Sequence, residues 1–171
     1  VIDSNTISGR CQGYYFIMQF SKAFDAVNPY SGKDEKPEAS VGNTFQSAII
    51  IDYAVRENET ILVKIGFSTA SFKGVENNIQ MEQTGWDFEQ TKLQSKKIWN
   101  EKLSQVEVKT PNENTKEIFY TALYHSMFMP VVLSDADAPK DDYGPLFPWD
   151  TYRSEHPLIT LLDPPRESDM V

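Results

Sequence analysis

The chain has 171 residues, a length that fits about one domain, or one domain and part of another. Hydrophobic residues make up 40 %, which supports a packed core and excludes wholesale disorder. A net charge of −9 repels phosphate backbones, so nucleic acid is not an expected partner; a neutral ligand such as a sugar meets no such barrier.

Cys11 stands alone, so no internal disulfide and no CxxC zinc spacing exist. No apolar run reaches the roughly 18 to 20 residues that a membrane-spanning helix needs. Asn58-Glu59-Thr60 has the glycosylation spacing but reads first as a turn. The start at Val1 rather than Met leads us to expect a processed or truncated chain.

Residues 1 to about 80 read as β-structure. Tyr14, Phe16, Met18 and Phe20 alternate with Tyr15, Ile17, Gln19 and Ser21, a two-residue period rich in aromatics. Residues 28–43 carry two prolines and two glycines and read as a long loop. A strand is expected from Gln46 to Val55, with Ile49, Ile51, Tyr53 and Val55 on one face. A second is expected from Thr60 to Ser68, with Ile61, Val63, Ile65 and Phe67 on one face. The short "RENE" turn between them predicts an antiparallel hairpin, and the absence of an intervening helix favours a sandwich.

The pattern changes after about residue 74. Asp87, with Gln90 three positions on, predicts the start of a helix from Phe88 to about Ser104. This helix turns Ile98, Trp99 and Leu103 toward a partner and Lys92, Lys96, Lys97 and Glu101 toward water. Asn114 with Glu117 repeats the spacing and predicts a helix over 115–127. Phe119, Ala122, Leu123, Ser126 and Met127 form its apolar stripe. Met127, Phe128 and Met129 read as core, and His125 as a boundary residue. Residues 134–148 read as loop, and 151–162 as helix despite Pro157.

Two stretches could carry chemistry. Ser134-Asp135-Ala136-Asp137 has the alternating acids of a calcium loop, but Ala138 and Pro139 break that motif and leave an Asx turn as the simpler reading. In "PWDTYRSEHP", a continuous helix would put Trp149, Tyr152, Arg153 and His156 on one face. Trp offers a flat apolar surface for sugar C–H groups. Asp150 can accept from neighbouring hydroxyls, and Arg153 can donate in a fork. The competing structural reading is an Asp150–Arg153 pair with the aromatics buried. No catalytic carboxylate pair can be selected by spacing among 25 acids.

"IFYTALYHSMFMP", "SDAD" and "WDTYRSEHPLITLLDPPRESDM" strongly resemble glycoside hydrolase family 92, the calcium-dependent exo-acting α-mannosidases. "GWDFEQTKLQSKKIWNEKLSQVEV" resembles the segment preceding the barrel in that family. "GYYFIMQFSKAFD" and "ILVKIGFSTASFKGVENN" resemble its N-terminal sandwich.

The resemblance implies a mixed all-β plus all-α chain: the end of a β-sandwich domain over residues 1–85, a connecting helix over 86–114, and the first helices of an (α/α)6 barrel over 115–171. It also implies an internal piece of an inverting exo-α-mannosidase, secreted, periplasmic or at the cell surface. Its acid, base and calcium ligands would lie outside this chain, so no catalytic or metal-binding residue is assigned here. Its partners would be a mannose-containing glycan and the remainder of the same polypeptide.

Trp149, Asp150 and Arg153 match the substrate-pocket motif, and Asp135 and Asp137 match a family motif of less defined role. Ala138 stands where the family usually has Gly, and Pro148 where it usually has Leu. The loop over 138–147 is shorter than expected, which points to a remodelled loop. Two alternatives remain: a non-catalytic carbohydrate-binding or structural module, and a relative acting on another sugar or on mannosyl phosphate.

Overall fold

Strand β1 (Thr6–Cys11) turns into β2 (Tyr14–Phe20) across Gln12-Gly13, where both residues adopt positive φ, 49° and 91°. That φ pattern belongs to the type I′ turn, whose twist suits a two-residue hairpin, and Gly13 supplies its second position without strain. In the computed structural model, residues 1–31, 47–144 and 148–170 are described. Most of the loop expected over 28–43 lies outside them, as do residues 145–147 at the end of the 138–147 loop.

Strand β3 (Ala26–Ser31) pairs with β4 (Ser47–Asp52), and β5 (Val63–Ser68) pairs with β2, all antiparallel. The first sheet therefore has the order β1-β2-β5. The predicted hairpin between the strands near 46–55 and 60–68 does not form. Instead, the intervening chain crosses from one sheet to the other. The backbones of Ser21 and Asp25 bond to Leu62 and Asp52, each at 2.9 Å. Lys22 ties down the turn by donating to the Ala54 carbonyl at 2.6 Å and to Glu59 at 2.9 Å. The Lys22 hydrogen bond, and after it the one from Arg56 N at 2.9 Å, holds Glu59 below the usual carboxylate range.

A second correction concerns residues 72–82. They form helix α1 (Phe72–Glu82), capped by the Ser71 hydroxyl, which accepts from Gly74 N at 3.0 Å. Val75 and Ile79, one turn apart, pack on Ile17 of β2, with Tyr15 beside them. This is the core of the first layer. The β2–β5 register sets Ile17 opposite Gly66. A Cβ at Gly66 would come within 2.5 Å of Ile79 Cγ1 and 3.0 Å of Val75 Cγ1. The face of β5 that meets the helix is thus Lys64, Gly66 and Ser68. Val63, Ile65 and Phe67 share the opposite face, as the two-residue period predicts, but that face is exposed, with Phe67 at 57 %.

Helix α2 (Phe88–Leu103) starts as predicted, with the Asp87 carboxylate accepting from Gln90 N at 2.9 Å. Trp99 packs edge-on to Tyr124 of α3 (Glu113–Ser126), with ring centroids 4.5 Å apart. The α3 cap is Asn112, accepting from Thr115 N, two residues earlier than expected. Leu123 is buried at the centre of the predicted stripe, with Phe119, Ser126 and Met127 half-buried beside it. Phe128 and Met129, expected in the core, are exposed, as is Ile98. A short ribbon, β6 (Val131–Val132) with β7 (Tyr143–Gly144), brackets the acidic loop. Three further helices follow: α4 (Pro148–Thr151), α5 (Glu155–Leu162) and α6 (Pro164–Met170). No helix among the described residues is long and apolar enough to cross a membrane.

The Gly66 contact gives a direct test. Replacing Gly66 with Ala pushes α1 off the sheet and destabilises the protein by about 1–3 kcal/mol, the usual cost of overpacking a tight core. The change is read as a lower urea midpoint at constant slope.

Candidate functional site

The helix expected over 151–162 is broken. Tyr152 N bonds back to Pro148 O at 3.0 Å, ending α4, and the chain turns through 152–154 before α5 begins. Pro157 falls in the first turn of α5, where its missing N–H is not needed and its fixed φ suits the helix. Trp149, Tyr152, Arg153 and His156 therefore do not share the face of one continuous helix.

His156 is half-buried against α6, with Nδ1 2.9 and 3.2 Å from the two Glu167 carboxylate oxygens. Trp149 and Asp150 lie on α4 and Arg153 in the turn, and all three are exposed, Trp149 at 72 %. Tyr152 is 66 % exposed. No ion pair joins Asp150 to Arg153 among the described residues, and the aromatics are not core. The reading of this stretch as a crowded core does not hold. An aromatic face, a carboxylate and a guanidinium are presented at the surface instead.

The helix that follows, α6, is tied to earlier parts of the chain. The Arg166 guanidinium donates to the Pro130 carbonyl and lies 5.7 Å over the Tyr143 ring, joining α6 to both ends of the ribbon. Lys140 reaches Asp169 at 3.6 Å, and Lys102 of α2 bonds to Asp163 at 3.0 Å. Trp99, Met127, Met129, Leu158, Leu162 and Arg166 help line an apolar cavity of about 220 Å³ between these helices. Trp149, Asp150 and Arg153 do not line it.

The second group of polar residues was not foreseen as a unit. Asp135 accepts from the Ser68 hydroxyl and from Asn78 Nδ2, each at 2.9 Å. Asn78 Oδ1 in turn accepts from Ala136 N at 2.7 Å, and Asn78 Nδ2 also donates to the Phe67 carbonyl at 2.8 Å. Asn77 donates to Asp137 at 2.7 Å. The loop turns on a backbone β-turn, with Ala138 N donating to the Asp135 carbonyl at 2.9 Å, rather than on the expected Asx turn, because the Asp135 carboxylate is taken up by Ser68 and Asn78. Both carboxylates are thus held by neutral donors from β5 and α1. No group of three or more His, Cys, Asp or Glu able to hold a metal ion occurs among the described residues. Those residues do not fit a calcium cage. The signal for this clasp was present as Asn77-Asn78 on a helix opened by Ser71. Without that helix it could not be placed.

Strands that give way to capped helices, with Trp149, Asp150 and Arg153 exposed at the surface, are what the described residues present. The family model described as "Glycosyl hydrolase family 92 catalytic domain" matches residues 74–171, more than half of the chain. The chain belongs to glycosyl hydrolase family 92.

Among solved structures, it is similar to the family GH92 alpha-mannosidase BT3965 from Bacteroides thetaiotaomicron, at 25 % identity and a TM-score of 0.78, over 94 % of this chain and 25 % of that one. The same mannosidase in complex with mannoimidazole matches with a TM-score of 0.77 at 25 % identity, over 94 % of this chain and 24 % of that one. The inverting mannosidase BT2199 from Bacteroides thetaiotaomicron VPI-5482 shares the fold, with a TM-score of 0.74 at 19 % identity, over 92 % of this chain and 25 % of that one. The chain thus spans about a quarter of the length of these structures. No curated protein sequence matches it.

The Lys102–Asp163 pair makes a pH prediction. The Lys102 hydrogen bond holds Asp163 below its ordinary pKa, helped by the Lys102 and Arg166 charges and opposed by burial. A carboxylate depressed in the fold stabilises it above the ordinary carboxylate range, and that contribution is lost as pH falls through the depressed value. Lys102→Met is therefore less stable than the wild type at neutral pH. The gap in urea midpoint closes as the solution is acidified below the Asp163 pKa.

Proposed function

We propose that these residues are part of an inverting exo-α-mannosidase that hydrolyses terminal α-mannosides of glycans, with Trp149, Asp150 and Arg153 forming a wall of its sugar pocket. The observation that carries this reading is that the catalytic-domain match covers Trp149, Asp150 and Arg153, all held at the surface. The mannoimidazole complex among the similar structures supports mannose as the sugar.

The division of the chain follows the same reading. Residues 1–85 end a β-sandwich, 86–114 connect, and 115–171 open an (α/α)6 barrel. The exposed apolar face of Val63, Ile65 and Phe67 and the exposed Ile118 and Leu161 are where the remainder of the polypeptide packs. The enzyme acts in a secreted, periplasmic or cell-surface setting.

Trp149 supplies a flat surface for the C–H face of mannose, and Asp150 accepts from two adjacent hydroxyls. Arg153 donates to a ring substituent or to the aglycone. In an inverting enzyme one carboxylic acid protonates the leaving oxygen and a second carboxylate activates water, the two being roughly 6.5–9.5 Å apart. Those groups, and the calcium site that the family resemblance implies, belong to other parts of the polypeptide. Calcium supplies a Lewis-acidic anchor for sugar and water oxygens.

In the full-length protein, Asp150→Ala removes charge-assisted hydrogen bonds to sugar. It lowers kcat/KM on an α-mannoside by about 10- to 150-fold, the equivalent of one or two such bonds. Unchanged turnover would remove Asp150 from the pocket. Chelation with EDTA abolishes hydrolysis by the full-length enzyme, and added calcium restores it; activity that survives dialysis against chelator removes the metal from the reading. A full-length protein that binds mannosides without cleaving them would instead be a carbohydrate-binding module.

A further inference from the structure

Helix α5 begins without help from its own cap. Ser154 stands at the cap position but makes no side-chain cap bond. An uncapped first turn leaves its orphan N–H groups to water and frays readily. Yet this turn continues directly from the 152–154 turn that carries Arg153, through the bond from Leu158 N to the Ser154 carbonyl at 3.0 Å.

One side-chain pair holds it. His156 Nδ1 lies 2.9 and 3.2 Å from the two Glu167 carboxylate oxygens, with the side chains only 22 % and 15 % exposed. An ionised carboxylate only accepts, so the imidazole carries a proton on Nδ1. Neither side chain has another hydrogen-bond partner among the described residues. Removing one member of a pair held this far from water strands the other, so its loss is felt more than that of a surface pair. The other hydrogen bonds at the α5–α6 junction lie at its hinge. There Asp163 N donates to the Ile159 carbonyl at 2.7 Å and Glu167 N to the Asp163 carbonyl at 3.1 Å. Helix α6 is itself anchored, by Arg166 to Pro130 and by Asp169 to Lys140. The pair therefore seats the uncapped end of α5 on a fixed platform.

We propose that His156 and Glu167 are positioning residues: their pair holds the first turn of α5 against α6 and so fixes the 152–154 turn and the placement of Arg153. This rests on the reading of Arg153 as part of the sugar wall. The path from Glu167 to Arg153 is short: one imidazole–carboxylate bond, then three residues of backbone closed by the Leu158–Ser154 bond. The pair acts through Arg153 rather than on the sugar.

The test uses the full-length protein. His156→Ala and Glu167→Ala each remove the pair, while His156→Asn keeps an N–H donor near the Nδ1 position. Two readouts are taken: amide hydrogen exchange over 152–158 without ligand, and steady-state kinetics on an α-mannoside. In either alanine variant, exchange over 152–158 accelerates about 10-fold or more while β1 and β2 keep their protection, as a local opening requires. KM rises about 10-fold with kcat within about 2-fold, the pattern of weakened uniform binding. The double alanine variant is no worse than the worse single one, because one interaction can be lost only once. His156→Asn recovers part of both losses. In an Arg153→Ala background, His156→Ala still speeds exchange but no longer moves KM.

Ile79→Val, in the core between α1 and the sheet, lowers Tm but leaves KM unchanged. Glu167→Ala keeps the test open if no His156 variant folds. Wild-type exchange over 152–158 in a folded alanine variant overturns the proposal. So does an unchanged KM where Arg153→Ala raises it, or a KM that still rises when Arg153 is absent. If Arg153→Ala alone leaves KM unchanged, the sugar-wall reading falls at that residue, and the exchange data still decide whether the pair holds the turn.

Discussion

The carboxylate of Asp135 sits where β5, α1 and the acidic loop meet, and most of the described architecture on that side depends on how it is satisfied. A carboxylate withdrawn from water is costly unless its lone pairs find donors. Here they find the Ser68 hydroxyl and the Asn78 amide. Ser68 is itself 3 % exposed, and its oxygen also accepts from the backbones of Ala70 and Ser71, which set up the entry to α1. One polar junction thereby ends a strand, starts a helix and fastens a loop distant in sequence. Gly74 and Gly66 follow from it: a helix drawn this close to both strand and carboxylate leaves no room for a Cβ at either position.

Local signals were legible and distant ones were not. Asp87 capping Gln90 is a relationship over three residues, so the start of α2 could be read directly. At α3 the sequence pointed to Asn114, with Glu117 completing its capping box, but the cap is Asn112, two residues earlier, so the spacing alone misplaced the start. The partner of β5 could not be read, because a strand alternating apolar residues pairs equally well with a neighbour in sequence or with β2. The crossing is decided by Lys22, Ser21 and Asp25, whose roles appear only in three dimensions. Helix α1 was hidden by Gly74 and the Asn77-Asn78 pair, all poor helix formers. Its recoverable signature was Ser71 as cap followed by Phe72, Val75 and Ile79 on one side.

Over 148–157, the residues were legible and their geometry was not. Trp149, Asp150 and Arg153 could be singled out by chemistry, but the continuous helix drawn through them fails. Ser154 makes no side-chain cap bond, and the chain turns at 152–154. The break matters for what these groups can do. A straight helix would stack Tyr152 and His156 along the line of Trp149. The turn instead separates an outward group, Trp149 to Arg153, from an inward one, in which His156 meets Glu167.

Under the proposed reading, a preformed sugar surface requires that separation. Sugars present alternating apolar and hydroxyl faces and gain little per contact, so a wall that must order itself on binding loses much of its affinity to entropy. The described residues place the ordering elsewhere: Arg166 joins α6 to Pro130, Lys102 joins α2 to Asp163, and Lys140 joins the acidic loop to Asp169. Each tie joins elements that precede and follow the 148–153 stretch in sequence, so their order is set in folding. The indole of Trp149 is 72 % exposed on a helix of only four residues, an apolar surface whose removal from water is favourable, so a partner surface that covers it gains from doing so.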